Sequence, residues 1–135
     1  MGLVQEIWID KGKGLVKPEA FSELAKSKAE EVFRHARGNT NNTSQLRKFY
    51  DTIFNLNQRA KTVPDENDSA WLSIMAQLHR QIAMVHYAKG RKLVSENFVN
   101  MLEELIKAVK TKKDLQVVTD FFEAFMAFYK ELKPN

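Results

Sequence analysis

Apolar residues recur every three or four positions along most of the chain, and this spacing predicts amphipathic α-helices. We predict five helices, at about 18–37, 43–60, 68–90, from just after Gly90 to 110, and 114–132. No stretch shows a convincing strand pattern. The predicted fold class is therefore all-α, a compact bundle of about five helices with no sheet.

Residues typical of helix ends bound these segments. Proline suits the first helical position and glycine suits the position past the last, while serine, threonine and aspartate cap the start. The predicted end residues are Pro18 and Gly38 for the first helix, Thr43 or Ser44 for the second, Asp68 or Ser69 and Gly90 for the third, and Asp114 for the last.

The last predicted helix carries a wide apolar face rich in aromatic residues, so we expect it to be central to the core. Its aromatic residues follow the helical turn, which favours core packing over a platform for base stacking. They are Phe121, Phe122, Phe125, Phe128 and Tyr129. We also place Phe54 on the apolar face of the second helix and Leu72 on that of the third.

Residues 1–17 fit no regular element. Ile7-Trp8-Ile9 is too apolar for a loose tail, but the lysines and glycines that follow interrupt any helical or strand pattern. We interpret the segment as an N-terminal arm that docks onto a second copy of the chain, with Ile7-Trp8-Ile9 as a dimer contact.

The length of 135 residues predicts one domain, 1–135, with a core of its own. The absence of cysteine excludes disulfides and thiolate metal sites. The N-terminus lacks the basic and apolar regions of a signal peptide, and no apolar run approaches the ~20 residues of a membrane span. We therefore expect a cytoplasmic protein with no membrane partner.

No motif nominates an active site, a metal site or a cofactor site. His79 and His86 are seven residues apart, too far along a helix to share one ion, and we expect them to be partly buried packing residues. Adjacent glutamates such as Glu30-Glu31 diverge around a helix and do not converge like a catalytic pair. We predict no enzyme activity, no catalytic residue, no metal and no cofactor.

Positive charge is concentrated in the middle of the chain. The formal net charge is +4, and residues 40–92 carry eight Lys or Arg against four acids. A localised basic region of this kind is typical of proteins that meet anionic partners.

The basic residues fall on helix faces that lie opposite the apolar ones. Lys48, Thr52, Asn55 and Arg59 are spaced four, three and four residues apart, so they share one face. Gln77, Arg80, Tyr87 and Arg91 line the outer face of the next helix. Arginine, lysine and neutral donors together suit phosphate oxygens, so this mixture predicts contact with a nucleic-acid backbone and little sequence discrimination.

Three motifs resemble the small subunit of the type III-A CRISPR effector, the Csm complex. They are Ser44-Gln45-Leu46-Arg47-Lys48-Phe49-Tyr50, Tyr87-Ala88-Lys89-Gly90-Arg91, and Phe122-Glu123-Ala124 with Ala127-Phe128-Tyr129-Lys130. The first is fairly specific and the other two are weak singly. The resemblance extends from about residue 43 to 133, and residues 1–42 add nothing to it.

The resemblance implies a non-catalytic helical subunit of an antiviral ribonucleoprotein. Several copies would stack on one another along the CRISPR RNA (crRNA) and its target RNA, beside the other subunits, which perform cleavage and signalling. RNA contact carries over to Arg47, Lys48 and Arg91, the positions that match the family motifs. Helix geometry adds Arg59, Arg80 and Lys89 to the predicted RNA-binding residues.

Two other classes of function remain open at this stage. One is a helical scaffold whose basic face docks acidic protein partners rather than RNA. The other is an enzyme with an unfamiliar site, which a concave pocket with converging polar groups would favour.

Overall fold

The structure is a computed structural model that describes residues 2–134; Met1 and Asn135 lie outside the described residues. Across that range the chain forms six α-helices, two short 3-10 helices and one small sheet. The helices are α1 Leu3–Ile7, α2 Glu23–Phe33, α3 Thr43–Ala60, α4 Ser69–Gly90, α5 Glu96–Ala108 and α6 Lys112–Leu132. The 3-10 helices are Lys11–Lys13 and Pro18–Phe21, and the strands are β1 Trp8–Asp10 and β2 Leu15–Val16.

The sheet corrects the prediction of a fold without strands. β1 and β2 pair antiparallel, with Trp8 opposite Val16, Asp10 opposite Leu15 and an irregularity between the two pairs. Strands of three and two residues are too short to show the alternation by which a strand is predicted. The fold class is helical all the same.

Helix α6 lies at the centre, where it packs against α2, α3 and α5. The phenyl rings of Phe121, Phe122 and Phe125 and the ring of Tyr129 are completely buried, and Phe125 stacks on Tyr129 at 5.7 Å between ring centres. Phe128 is partly buried against the same core. The prediction that this aromatic stripe is core is confirmed.

The N-terminal segment is part of this core. Leu3, Ile7 and Trp8 are buried, and the backbone N–H of Leu3 donates to Glu104 Oε2 of α5 at 2.9 Å. Ile7 and Trp8 are therefore unavailable for the dimer contact that we predicted. Ile9 does face solvent, with 65% of its surface exposed.

The first predicted helix is shorter than expected and divided. Its N-terminal turn is the 3-10 helix Pro18–Phe21, and α2 ends at Phe33 instead of continuing to residue 37. The reason is capping from elsewhere in the chain: Asn41 Nδ2 donates to the Val32 carbonyl at 3.0 Å, and Asn97 Nδ2 donates to the Glu31 carbonyl at 2.9 Å. These side chains satisfy carbonyls that another helical turn would have used.

The starts of α3, α4 and α6 agree with the sequence to within a few residues, whereas α5 starts at Glu96 and not just after Gly90 as predicted. Asp68 caps α4 as predicted, by accepting from the Ala70 N–H at 2.8 Å. The cap of α3 is Asn42, because Thr43 is already helical and donates its hydroxyl to the Lys133 carbonyl. The cap of α6 is Thr111, and Asp114 is its reciprocal partner in a capping box.

Two predicted core residues are exposed. Phe54 of α3 keeps 39% of its surface in solvent and Leu72 of α4 keeps 66%. Both lie at the edge of the apolar stripe of their helices, where spacing alone does not decide burial.

Candidate nucleic-acid interface

Helices α3 and α4 are consecutive and pack side by side, joined by the loop 61–68. Arg59 Nη1 near the end of α3 donates to Gln77 Oε1 in the first half of α4 at 3.1 Å. Residues from the start of α3 meet residues from the end of α4. The two helices are therefore antiparallel, which brings the basic faces predicted from sequence into contact.

A surface groove of about 320 Å³ runs between these helices. We call it the basic groove, because Lys48, Arg80 and Arg91 line it and no acidic residue does. Its remaining lining residues are Gln45, Phe49, Thr52, Gln81, Met84, Tyr87, Ala88 and Leu93.

The three cations of the basic groove are free to bind an anion. Lys48 and Arg80 are exposed, and neither forms an ion pair or a side-chain hydrogen bond within residues 2–134. The Arg91 guanidinium carbon lies 5.8 Å from the ring centre of Tyr87, which is itself 61% exposed. The groove thus contains cations that no carboxylate neutralises, and an exposed aromatic ring lies beside them.

Arg59 and Arg47 flank the basic groove without lining it. Arg59 lies farther along α3, on the same side, where it bonds to Gln77. Arg47 lies on the neighbouring strip of α3, with its Nε 3.9 Å from Asp51 Oδ1. This exposed pair one helical turn apart contributes little to stability and leaves the guanidinium accessible.

Lys89 lies on the other side of α4. It is nine residues from Arg80, which corresponds to about half a turn of rotation at 3.6 residues per turn. Its ammonium group bonds Glu96 Oε1 at 2.5 Å, and this hydrogen bond, with the charge behind it, lowers the pKa of Glu96 below its ordinary value. The structure does not bring Lys89 together with the other predicted residues.

Like Lys89, His86 of α4 contacts a glutamate of α5. His86 Nε2 lies 2.9 Å from Glu103 Oε1, and hydrogen bonds from Lys107 and His86 lower the pKa of Glu103. The expectation that His79 and His86 are partly buried is wrong, since both side chains are exposed. Among residues 2–134 no group of three or more His, Asp or Glu side chains is placed to hold a metal ion.

The sequence did not identify every residue of the basic groove. Gln45, Gln81 and Met84 line it in addition to the predicted cations. Gln81 follows Arg80 directly, and Met84 lies one turn later on the same strip of α4. Helical spacing could have indicated both, but the antiparallel pairing of α3 and α4 had to be known first.

Over the described range no helix has the length and apolar character needed to cross a bilayer. A comparison with protein families matches residues 19–135 to the family described as Csm2 Type III-A. No curated protein and no solved structure matches the chain. The match extends the resemblance beyond residue 43 toward the N-terminus, through α2. The chain belongs to the Csm2 family of structural subunits of the type III-A CRISPR effector.

Proposed function

We propose that this subunit lies in several copies along the crRNA and its target RNA and contacts the RNA backbone through the basic groove without reading the bases. The observation that carries the proposal is the groove's lining. Three cations from two helices, Lys48, Arg80 and Arg91, meet there with no carboxylate among them.

The chemistry of the basic groove suits a phosphate backbone. Arginine offers a planar fork of donors and lysine a compact point charge, and both favour phosphate oxygens. Gln45 and Gln81 add neutral donors beside them. The exposed ring of Tyr87 offers a face on which any base can stack, and such stacking tolerates every sequence.

Support differs among the six residues that we predict to bind RNA. Lys48, Arg80 and Arg91 line the basic groove, and Arg59 extends it along α3. Arg47 is accessible beside it. Lys89 has the weakest support, because Glu96 already neutralises its charge on another face of α4.

Stacking in several copies requires two different surfaces on each copy. Such head-to-tail contacts do not close, so a strong contact of this kind would turn the free subunit into filaments. We therefore expect the contact between copies to be weak until RNA and the other subunits align them. The free protein should be a monomer or a small closed dimer by light scattering, and long polymers would contradict this.

The test is RNA binding by fluorescence anisotropy as salt is varied, with Lys48→Ala, Arg80→Ala and Arg91→Ala. If the basic groove neutralises about three phosphates, it should contribute roughly −2 to −3 to the slope of log K against log salt, so that fourfold more salt weakens this contribution to binding roughly 15- to 60-fold. Each variant should bind more weakly and with a shallower slope. Lys26→Ala, an exposed lysine of α2, is the matched control.

Three results would count against the proposal: a flat salt response, strong discrimination among unrelated sequences, or normal binding by all three variants. A second candidate function uses the same cations to dock an acidic surface of a neighbouring subunit. In that case the three variants would bind RNA normally but would fail to join a reconstituted effector complex.

A further inference from the structure

A second cluster of positive charge lies where the β1–β2 turn meets the start of α6. The two segments form a cleft of about 730 Å³ with the loop that follows α3. We call it the lysine cleft. Its lining residues are Lys11, Gly12, Lys13, Gly14, Pro64, Glu66, Lys110, Thr111, Lys112, Lys113 and Asp114.

Charge along the sequence does not reveal this cluster. Outside residues 40–92 the acids and bases are equal in number, so that part of the chain carries no net charge. The fold nevertheless places lysines from 11–13 beside lysines from 110–113, which are about a hundred positions apart. Lys11 and Lys13 also lie before residue 19, where the family match begins.

Fixed contacts hold the two walls of the lysine cleft together. Lys11 Nζ donates to Asp114 Oδ2 at 2.7 Å and lies 5.4 Å from the ring centre of the buried Trp8. Asp10 Oδ1 accepts from the Lys13 N–H at 3.1 Å, and Gly14 closes the turn at a φ of 70°. The turn is thus tied to the helix.

Both carboxylates of the lysine cleft already accept hydrogen bonds from other residues that line it. Asp114 is 4% exposed and accepts from the backbone N–H groups of Lys110 and Thr111 as well as from Lys11. Glu66 accepts from the Lys112 N–H at 2.7 Å.

Three lysines of the lysine cleft remain available. Lys13, Lys110 and Lys113 are exposed, and their ammonium groups form no ion pair or hydrogen bond within the described part of the chain. The cleft therefore presents a surplus of positive charge to solvent.

These contacts decide which kind of anion fits. A single small anion is held best by free N–H groups at a helix start. Here the N–H groups of Lys110, Thr111 and Lys112 already donate to carboxylates. A small anion would therefore meet only lysine ammonium groups that stand apart from one another. Separated lysines suit a polyanion that offers one charge to each of them.

The position of the lysine cleft favours RNA over an acidic protein as that polyanion. The basic groove lies at the start of α3 and the lysine cleft beyond its end. From Lys48 to Arg59, which share one side of α3, is about 16 Å at 1.5 Å per residue, in the direction of the lysine cleft. A continuous phosphate chain can follow such a line of cations.

We infer that the lysine cleft is a second contact for RNA phosphates, at the opposite end of α3 from the basic groove. The inference rests on the proposed RNA-binding function. In this arrangement one subunit holds the RNA backbone at two points, and the two points contribute independently to the salt dependence of binding.

The experiment compares the wild-type protein, a cleft variant (Lys13→Ala, Lys110→Ala and Lys113→Ala together) and a groove variant (Lys48→Ala with Arg91→Ala). The probe is a single-stranded oligouridylate of about 30 nucleotides, longer than typical single-strand sites. The matched control replaces three exposed cations outside the cleft, Lys26, Arg34 and Arg37, with alanine. Thermal melts verify that every variant is folded.

The cleft variant should lose about 2 units of salt slope, from about 0.7 for each of three phosphates, and bind on the order of 10- to 100-fold more weakly at about 0.1 M salt. Arginine at the same three positions should restore binding, because charge and not side-chain shape is required. The matched control should bind like the wild-type protein.

The other outcomes decide between this inference and the proposed function of the basic groove. If the cleft variant binds RNA normally and the groove variant does not, this inference is wrong and the proposed function stands. If the cleft variant alone loses binding, the inference stands and the assignment of the basic groove fails. A cleft variant that binds RNA but does not enter the effector complex identifies an acidic protein partner and overturns the inference. A wild-type protein that binds no RNA at low salt overturns both.

Discussion

The hydroxyl of Tyr129 donates a hydrogen bond of 2.6 Å to the backbone carbonyl oxygen of Asn41. Tyr129 lies near the end of α6, and Asn41 lies 88 residues earlier in the loop before α3. Both residues are completely buried. This one bond thus joins the central helix to the loop that precedes α3, the helix that carries Lys48 of the basic groove.

Asn41 makes further contacts from this buried position. Its Nδ2 donates to the Val32 carbonyl and to Ser95 Oγ, its Oδ1 accepts from the Ser95 N–H, and its own N–H donates to the Leu93 carbonyl. Its backbone is left-handed, with a φ of 61°. The residue connects the end of α2, the loop between α4 and α5, and α6.

Replacing Asn41 should destabilise the fold strongly. Asn41→Ala removes the side-chain hydrogen bonds and keeps a left-handed backbone that alanine disfavours, so we expect a loss of about 2–4 kcal/mol in the free energy of unfolding. Asn41→Gly removes the same bonds without the backbone strain and should be about 1 kcal/mol more stable than Asn41→Ala. Urea denaturation measures both, and equal stability of the two variants would contradict the strain argument.

Tyr129 should make the fold sensitive to alkali. Burial raises the pKa of Tyr129 from 10.0 to about 12. A raised pKa stabilises the folded state fully below pH 10, and this contribution is lost as the pH rises from 10 toward 12. Tyr129→Phe should lose about 1–3 kcal/mol at neutral pH, because the Asn41 carbonyl is left unpaired, and should show a shallower loss above pH 10.

Denaturation at several pH values tests this expectation. Tyr87→Phe is the matched control, since Tyr87 is 61% exposed and its hydroxyl forms no hydrogen bond within residues 2–134. If Tyr129→Phe and the wild-type protein lose stability equally above pH 10, Tyr129 is not the group responsible.

Glycine at position 92 should stabilise the protein. Helix α4 closes with the Leu93 N–H bonded to the Ala88 carbonyl and the Lys92 N–H bonded to the Lys89 carbonyl, both at 2.9 Å. This closure places Lys92 at a φ of 62°, where glycine is the favoured residue. We expect Lys92→Gly to raise the free energy of unfolding by about 0.5–1 kcal/mol. Lys92→Ala removes the same charge but keeps the strain, so it should bring no gain.

Two phenylalanines allow a matched test of the core. Phe125→Ala should lose about 3–5 kcal/mol, because it leaves a cavity at a fully buried position between the rings of Phe98, Phe122 and Tyr129. Phe54→Ala removes the same atoms at a position that is 39% exposed, so the loss should be about 1 kcal/mol. Thermal or urea denaturation measures the difference, and similar losses would show that α6 is not the centre of the core.

The sequence predicted those elements whose signals are local. Helices α3 and α4 have long apolar stripes and polar start residues, and their observed bounds agree with the predicted ones. The N-terminal segment was not predicted, since α1 and the hairpin depend on distant partners such as Glu104 and Asp114. The early end of α2 has a similar cause, because Asn41 and Asn97 cap it from other parts of the chain.

The candidate site was predictable as single faces but not as a groove. Lys48, Arg80 and Arg91 were identified one helix at a time, and only the packing of α3 on α4 unites them. The lysine cleft gave no signal, because acids and bases are equal in number over the residues outside 40–92 taken together, and only the fold brings its lysines side by side. Lys89 was added to the predicted residues from helix geometry, but its position on α4 turns it away from the groove and toward Glu96.

The hydrogen bond from Asn41 to Leu93 has a consequence for how tightly the basic groove can hold its occupant. Leu93 lines the groove, and Asn41 immediately precedes the turn that starts α3. Both walls are therefore fixed to one buried residue before any ligand arrives. An incoming anion has little backbone disorder to remove, so less of its interaction energy is lost to conformational entropy. A substitution that breaks the contacts of Asn41 would therefore lower the affinity of the groove for its anion, although every surface cation would still be in place.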